Sequence, residues 1–119
     1  MTVFGSYSKE TYTHQLRKEP EQYWKFKYPT AEDEVRAERF LRQSPSATEI
    51  FILELALTFA GTSIGGDEPY ITEDMPLGVK QAHIGKMPHA LILELAEVLN
   101  EFVPTWGLAR KEEKQEQTD

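Results

Sequence analysis

Two short, very apolar segments share one pentapeptide, Ile-Leu-Glu-Leu-Ala, and constrain the fold more than any other feature of the chain. The first runs from Ile50 to Ala60 with the pentapeptide at 52–56, and the second from Ala90 to Val103 with it at 92–96. Both have the composition of helices. A membrane-crossing helix needs about 20 apolar residues, and the longest apolar stretch here, 50–60, is interrupted by Glu54 and Thr58. The two segments must therefore be buried against each other, against the rest of the chain, or against a partner. Each Leu, Ile or Phe side chain taken out of water contributes roughly 1.5–3 kcal/mol, so packing the two together is enough to centre a core.

The chain has 119 residues, the length of one domain, with 39% hydrophobic and 28% charged residues and a formal net charge of -7. That charge argues against nonspecific nucleic-acid binding, in which Lys and Arg supply most of the affinity by neutralising phosphates. It also disfavours an anionic membrane surface. There are no cysteines, so disulfides, zinc–thiolate sites and cysteine nucleophiles are excluded, in keeping with a cytosolic setting. The opening MTVFGSYSKE has no basic start and no apolar core, and does not read as a secretory signal.

Residues 1–10 read as a flexible N-terminus, 11–108 as one mainly helical domain, and 109–119 (with RKEEKQEQTD) as a disordered charged tail. Residues 11–16 are rich in β-formers. Residues 22–28 (QYWKFKY) alternate, with Trp24, Phe26 and Tyr28 on one side and Tyr23, Lys25 and Lys27 on the other. This period of two predicts a β-hairpin across the RKEPE turn. Pro29 ends the second strand. Thr30, followed by Asp33, reads as a helix cap with acidic residues in the first turn and arginines later, and predicts a surface helix to about Arg42. Ser46 and Glu49 form a capping-box pattern before the first apolar segment, predicting a helix over 47–60 ended by Gly61. Residues 61–76 read as an acidic loop, functional or mobile. A short helix is predicted over 77–84, and a longer one from Pro88 to about 103 with Glu94, Glu97 and Glu101 as its polar stripe. The fold class is α+β, mainly helical, with an N-terminal β-hairpin.

Motifs for chemistry are few. His14, His83 and His89 lack the spacing of a metal site, and exposed loop histidines are the simpler reading. The acidic loop lacks the ligand order of a calcium site. No phosphate-cradling Gly-rich loop or Gly-x-Ser-x-Gly elbow is present. Glu54 and Glu94 occupy the same slot in the two pentapeptides. Facing one cavity, one of the two would have its pKa raised, which permits acid–base chemistry; the simpler expectation puts each on the solvent side of its helix. Lys25 and Lys27 beside three aromatics suggest a base-stacking platform, but core-facing aromatics explain them better. Since nothing around the pentapeptide repeats, coincidence explains it better than duplication.

The aromatic strand leading into Tyr28-Pro29-Thr30, the acidic helix start at Asp33-Glu34, the Pro-started later helix and the closing Pro104-Thr105-Trp106-Gly107 together resemble the tail assembly chaperones of long-tailed bacteriophages and prophages. The resemblance covers about residues 22–107. It implies a non-enzymatic protein of the bacterial host cytoplasm that binds the tape-measure protein, keeps it soluble, and helps tail-tube subunits polymerise around it. It implies no catalytic residue, cofactor or metal. Trp24, Phe26, Tyr28 and Trp106 become candidate partner contacts, with core packing as their other reading, and self-association is expected. Two other functions stay open: an acidic regulator or inhibitor docking on a basic host protein, and a small enzyme using Glu54 or Glu94.

Overall fold

The computed structural model describes residues 11–107. The expectations for residues 1–10 and for the charged tail lie outside them. Within this span the α+β expectation holds. Strands β1 (Tyr12–Gln15), β2 (Tyr23–Phe26) and β3 (Phe59–Thr62) form one sheet, and helices α1 (Ala31–Leu41), α2 (Ala47–Leu57), α3 (Leu77–Ile84) and α4 (His89–Phe102) pack with it.

The hairpin forms as its alternation predicts. β2 pairs antiparallel with β1, placing His14 opposite Trp24 and Tyr12 opposite Phe26. Trp24 and Phe26 are fully buried, while Tyr23 and Lys25 are half-buried on the other face. Tyr28 lies beyond the strand, partly in solvent, and stacks on Phe102 with ring centroids 4.3 Å apart.

The first apolar helix is shorter than its composition suggests. α2 ends at Leu57, and Thr58 takes the capping position. The chain then straightens into β3, which pairs antiparallel with β2 and sets Phe59 beside Phe26 across a register shift. Thr58 makes the switch in two ways. Its hydroxyl donates to the Glu54 carbonyl at 2.7 Å, and its own carbonyl accepts the Lys27 N–H at 2.7 Å. Gly61 consequently lies inside a strand and does not cap the helix. Pairing with β2 outweighs the helical preference of the last few residues, as tertiary context commonly does.

The helix starts follow the sequence signals. Thr30 and Asp33 form a complete capping box. The Ser46 hydroxyl accepts the Glu49 N–H at 3.1 Å. Glu32 and Arg36, and Glu38 and Arg42, stand four apart on α1, the spacing of helical ion pairs, but neither pair closes among the described residues.

α2 is buried on nearly every side, and α1, α3 and α4 all pack against it. It is the centre of the core, whereas α4 keeps one polar stripe. Residues 63–76 are well anchored. Ile71 is buried, the Tyr70 hydroxyl donates to the His83 carbonyl at 2.5 Å, and Ser63 bonds both Gln22 and the Tyr23 N–H. Such side-chain and backbone bonds give an irregular segment the partners that a strand or helix would otherwise provide.

After α4 the chain turns back over the helix. The Asn100 side-chain amide donates to the carbonyls of Pro104 and Trp106, each at 2.9 Å. Gly107 has a positive φ of 67°, and a Cβ there would lie 2.3 Å from the Ala96 carbonyl oxygen. Only glycine can pass so close to α4.

Candidate functional site

Three of the four sequence-derived contact candidates are core residues. Trp24 and Phe26 are 0% exposed and Trp106 is 1% exposed, against 36% for Tyr28. Trp24 meets Phe59 edge-on, with centroids 5.0 Å apart. The Trp106 indole N–H donates to the Glu34 carboxylate at 2.6 Å, tying the closing segment to α1. Tyr28 alone of the four faces solvent, where it joins Tyr12 and Phe102 in a stacked cluster. Buried as they are, Trp24 and Phe26 cannot offer their faces to nucleic-acid bases.

The two equivalent glutamates part company. Glu54 is 0% exposed, contrary to the solvent-facing expectation. Its carboxylate accepts the backbone N–H of Gly107 at 2.9 Å. Glu94 is half-buried and accepts from the His14 imidazole at 2.7 Å and from the Arg17 N–H at 3.0 Å. Burial disfavours its charged form, yet the His14 hydrogen bond, the Arg17 N–H and the neighbouring positive charge prevail, and its carboxyl titrates below the ordinary range. The two carboxylates serve different partners on different elements, which is the arrangement of structural ties.

Nor are the histidines loop residues. His14 lies in β1 with its side chain 12% exposed. His83 lies in α3 and bonds the Val79 carbonyl at 2.9 Å, and His89 opens α4. Among the described residues no three His, Asp or Glu side chains are grouped to hold a metal ion.

A groove opens on the surface between α1 and α3. Both helices rest on α2, and between them lies a cleft of about 730 Å³. Its floor is Leu53 of α2, and its walls carry Val35 and Phe40 of α1 and Leu77 of α3. Arg36 and Arg39 stand along it, with Glu32 and two glutamines. Val35 is 45% exposed. One end of the groove continues into a second pocket of about 350 Å³, with Arg36 and Leu77 common to both. Lys27, Asp33 and Lys80 line this end above Ala56 and Leu57.

Lys80 is the unusual member of this site. It lies on α3 and is 8% exposed; its backbone N–H donates to the Pro76 carbonyl at 3.0 Å, while its side chain makes no hydrogen bond or ion pair among the described residues. Burial pushes its ammonium below the ordinary lysine range and Lys27 adds to the effect, against partial relief from Glu73, Asp74 and Asp33. Sequence reasoning missed both the groove and Lys80. The sequence marks α1 as a surface helix, but no local signal sets it beside α3.

Comparison of the chain with family models, with curated proteins and with solved structures found no match. Among the described residues no helix is long and apolar enough to cross a membrane.

Proposed function

We propose that this chain is a non-enzymatic binding protein that receives an apolar helical segment of a partner in the groove between α1 and α3. On the resemblance drawn from its sequence, the reading is a tail assembly chaperone of a long-tailed phage, acting in the bacterial cytoplasm. Its partners are then the tape-measure protein and the tail-tube subunits. The observation that carries the binding reading is the groove itself. An apolar floor flanked by arginine, glutamine and glutamate suits the buried face of an amphipathic helix, and the exposed Val35 is a surface such a helix would cover. Covering a partner's apolar face would compete with that partner's aggregation, the mechanism expected of a chaperone for a long helical protein.

The inhibitor reading has less support. The acidic stripe of α4 is partly engaged within the molecule, Glu94 by His14 and Glu97 by Arg17 at 2.7 Å.

The test is co-purification from phage-producing cells with the full-length tagged chain and its Val35→Asp variant, followed by mass spectrometry. The expected result is a very long helical phage protein, with or without tail-tube subunits, captured by the wild type and lost with Val35→Asp. Capture of a host enzyme alone supports the inhibitor instead. Capture of only the chain itself points to self-association and removes the tape-measure reading.

A further inference from the structure

We propose that the outer face of α1 pairs antiparallel with α1 of a second copy of this chain, in a weak dimer held by Glu32 of each copy and Arg42 of the other. Positions 32, 35, 39 and 42 recur at intervals of three and four, so Glu32, Val35, Arg39 and Arg42 form one stripe along α1 and its cap. All four are exposed, Val35 by 45%. The buried side of the helix lies elsewhere, at Ala37. Among the described residues the side chains of Glu32, Arg39 and Arg42 make no hydrogen bond or ion pair. Asp33 and Glu34, by contrast, are engaged within the molecule, by the Thr30 N–H and the Trp106 indole.

The stripe is complementary to itself. Its first member is acidic and its last two are basic. With two copies antiparallel about a two-fold axis, Glu32 lies opposite Arg42 of the second copy, and Val35 lies under the methylene stem of its Arg39. The axis repeats both contacts. A parallel pair would instead set like charges against each other, and antiparallel helix dipoles add to the preference. The 11 residues of α1 span about 16 Å. So small a contact falls short of the roughly 800 Å² per partner of a stable interface, and the dimer should dissociate on the order of 100 µM. Its ion pairs are exposed, so salt should weaken it. Glu32, Val35 and Arg39 also border the groove between α1 and α3. A partner segment seated there therefore displaces the second copy, which covers the exposed valine until that segment arrives.

Sedimentation equilibrium of the full chain at low and high salt tests this. A dimer that weakens with added salt is expected. Glu32→Arg and Arg42→Glu each set like charges across the axis, and each should weaken self-association about tenfold or more. Mixed in equal amounts, the two variants carry complementary swaps and should associate within about threefold of the wild type. A wild type that stays monomeric at about 1 mM, a dimer insensitive to salt, or a mixture as weak as the single variants overturns the proposal. Circular dichroism checks that the variants fold. Should either fail, Glu32→Gln takes its place, and unchanged association of that variant overturns the proposal. Val35→Asp separates the dimer from the groove reading. It sets a carboxylate opposite Arg39 of the second copy, so it should keep the dimer while losing the phage protein; a lost dimer overturns the register. A wild type that captures the long phage protein but stays monomeric overturns the dimer and leaves the groove reading standing.

Discussion

The carboxylate of Glu54, in the middle of the most buried helix, accepts the backbone N–H of Gly107 at 2.9 Å, joining α2 to the segment that follows α4. An interior acceptor thus meets a main-chain donor that would otherwise be buried without that bond. With the Trp106–Glu34 bond beside it, this contact fastens the end of the domain to α1 and α2.

Glu54→Ala removes the acceptor and empties its space, and should destabilise by about 2–5 kcal/mol. Glu54→Gln keeps an acceptor oxygen and should cost less. Gly107→Ala forces a side chain into a positive-φ conformation and against the Ala96 carbonyl, at a cost of about 2 kcal/mol or more. Urea unfolding of the three variants checks this. An unchanged midpoint for Glu54→Ala would mean that the bond contributes nothing.

The Glu94–His14 contact predicts a pH dependence. The folded-state pKa of Glu94 lies below its ordinary value of 4.5. Between the two values the unfolded chain binds more protons than the native one, so stability rises with pH there. The contribution is full above 4.5 and is lost as pH falls through the lower, folded value. Comparing unfolding midpoints from pH 6 to pH 3, Glu94→Gln should show a shallower acid loss than the wild type. Parallel curves would rule the contact out as a source of acid sensitivity.

Thr30 caps α1 through a reciprocal pair of hydrogen bonds with Asp33, at 3.1 and 2.8 Å. Thr30→Ala keeps the Asp33 half and loses the hydroxyl, so it should cost about 1 kcal/mol. Thr30→Ser should be close to neutral. Chemical denaturation gives both values, and an equal loss for Ser and Ala would show that something other than capping is at work.

Lys80 is 8% exposed, burial disfavours its charged form, and its side chain makes no hydrogen bond or ion pair among the described residues. Lys80→Met keeps the buried stem and removes the charge, so the free protein should be equally or more heat-stable. A clearly lower Tm would indicate that the Lys80 charge stabilises the fold.

Much of the architecture was legible one segment at a time. Alternation in QYWKFKY specified β2, because period two separates a buried from an open face. Thr30, Ser46 and Pro104 set helix limits through backbone hydrogen bonding and φ restriction, which act within a few residues. β3 was not legible. Phe59 to Thr62 continue an apolar run that reads as helix, and only the open edge of β2 draws them into a strand. The groove was hidden for a related reason: α1 and α3 become neighbours only by sharing α2.

The repeated pentapeptide separates what each level decides. By itself, the sequence determined that Ile-Leu-Glu-Leu-Ala is helical and apolar in both places, since helix propensity and hydrophobicity belong to the residues. It did not determine where the central glutamate points. In α2 that glutamate is sealed in the core against Gly107, and in α4 it lies half-buried against His14, 80 positions away in the chain. Identical local sequences carry identical local energies. The tertiary structure alone supplies the donor, the depth of burial and the neighbouring charge that give each carboxylate its role.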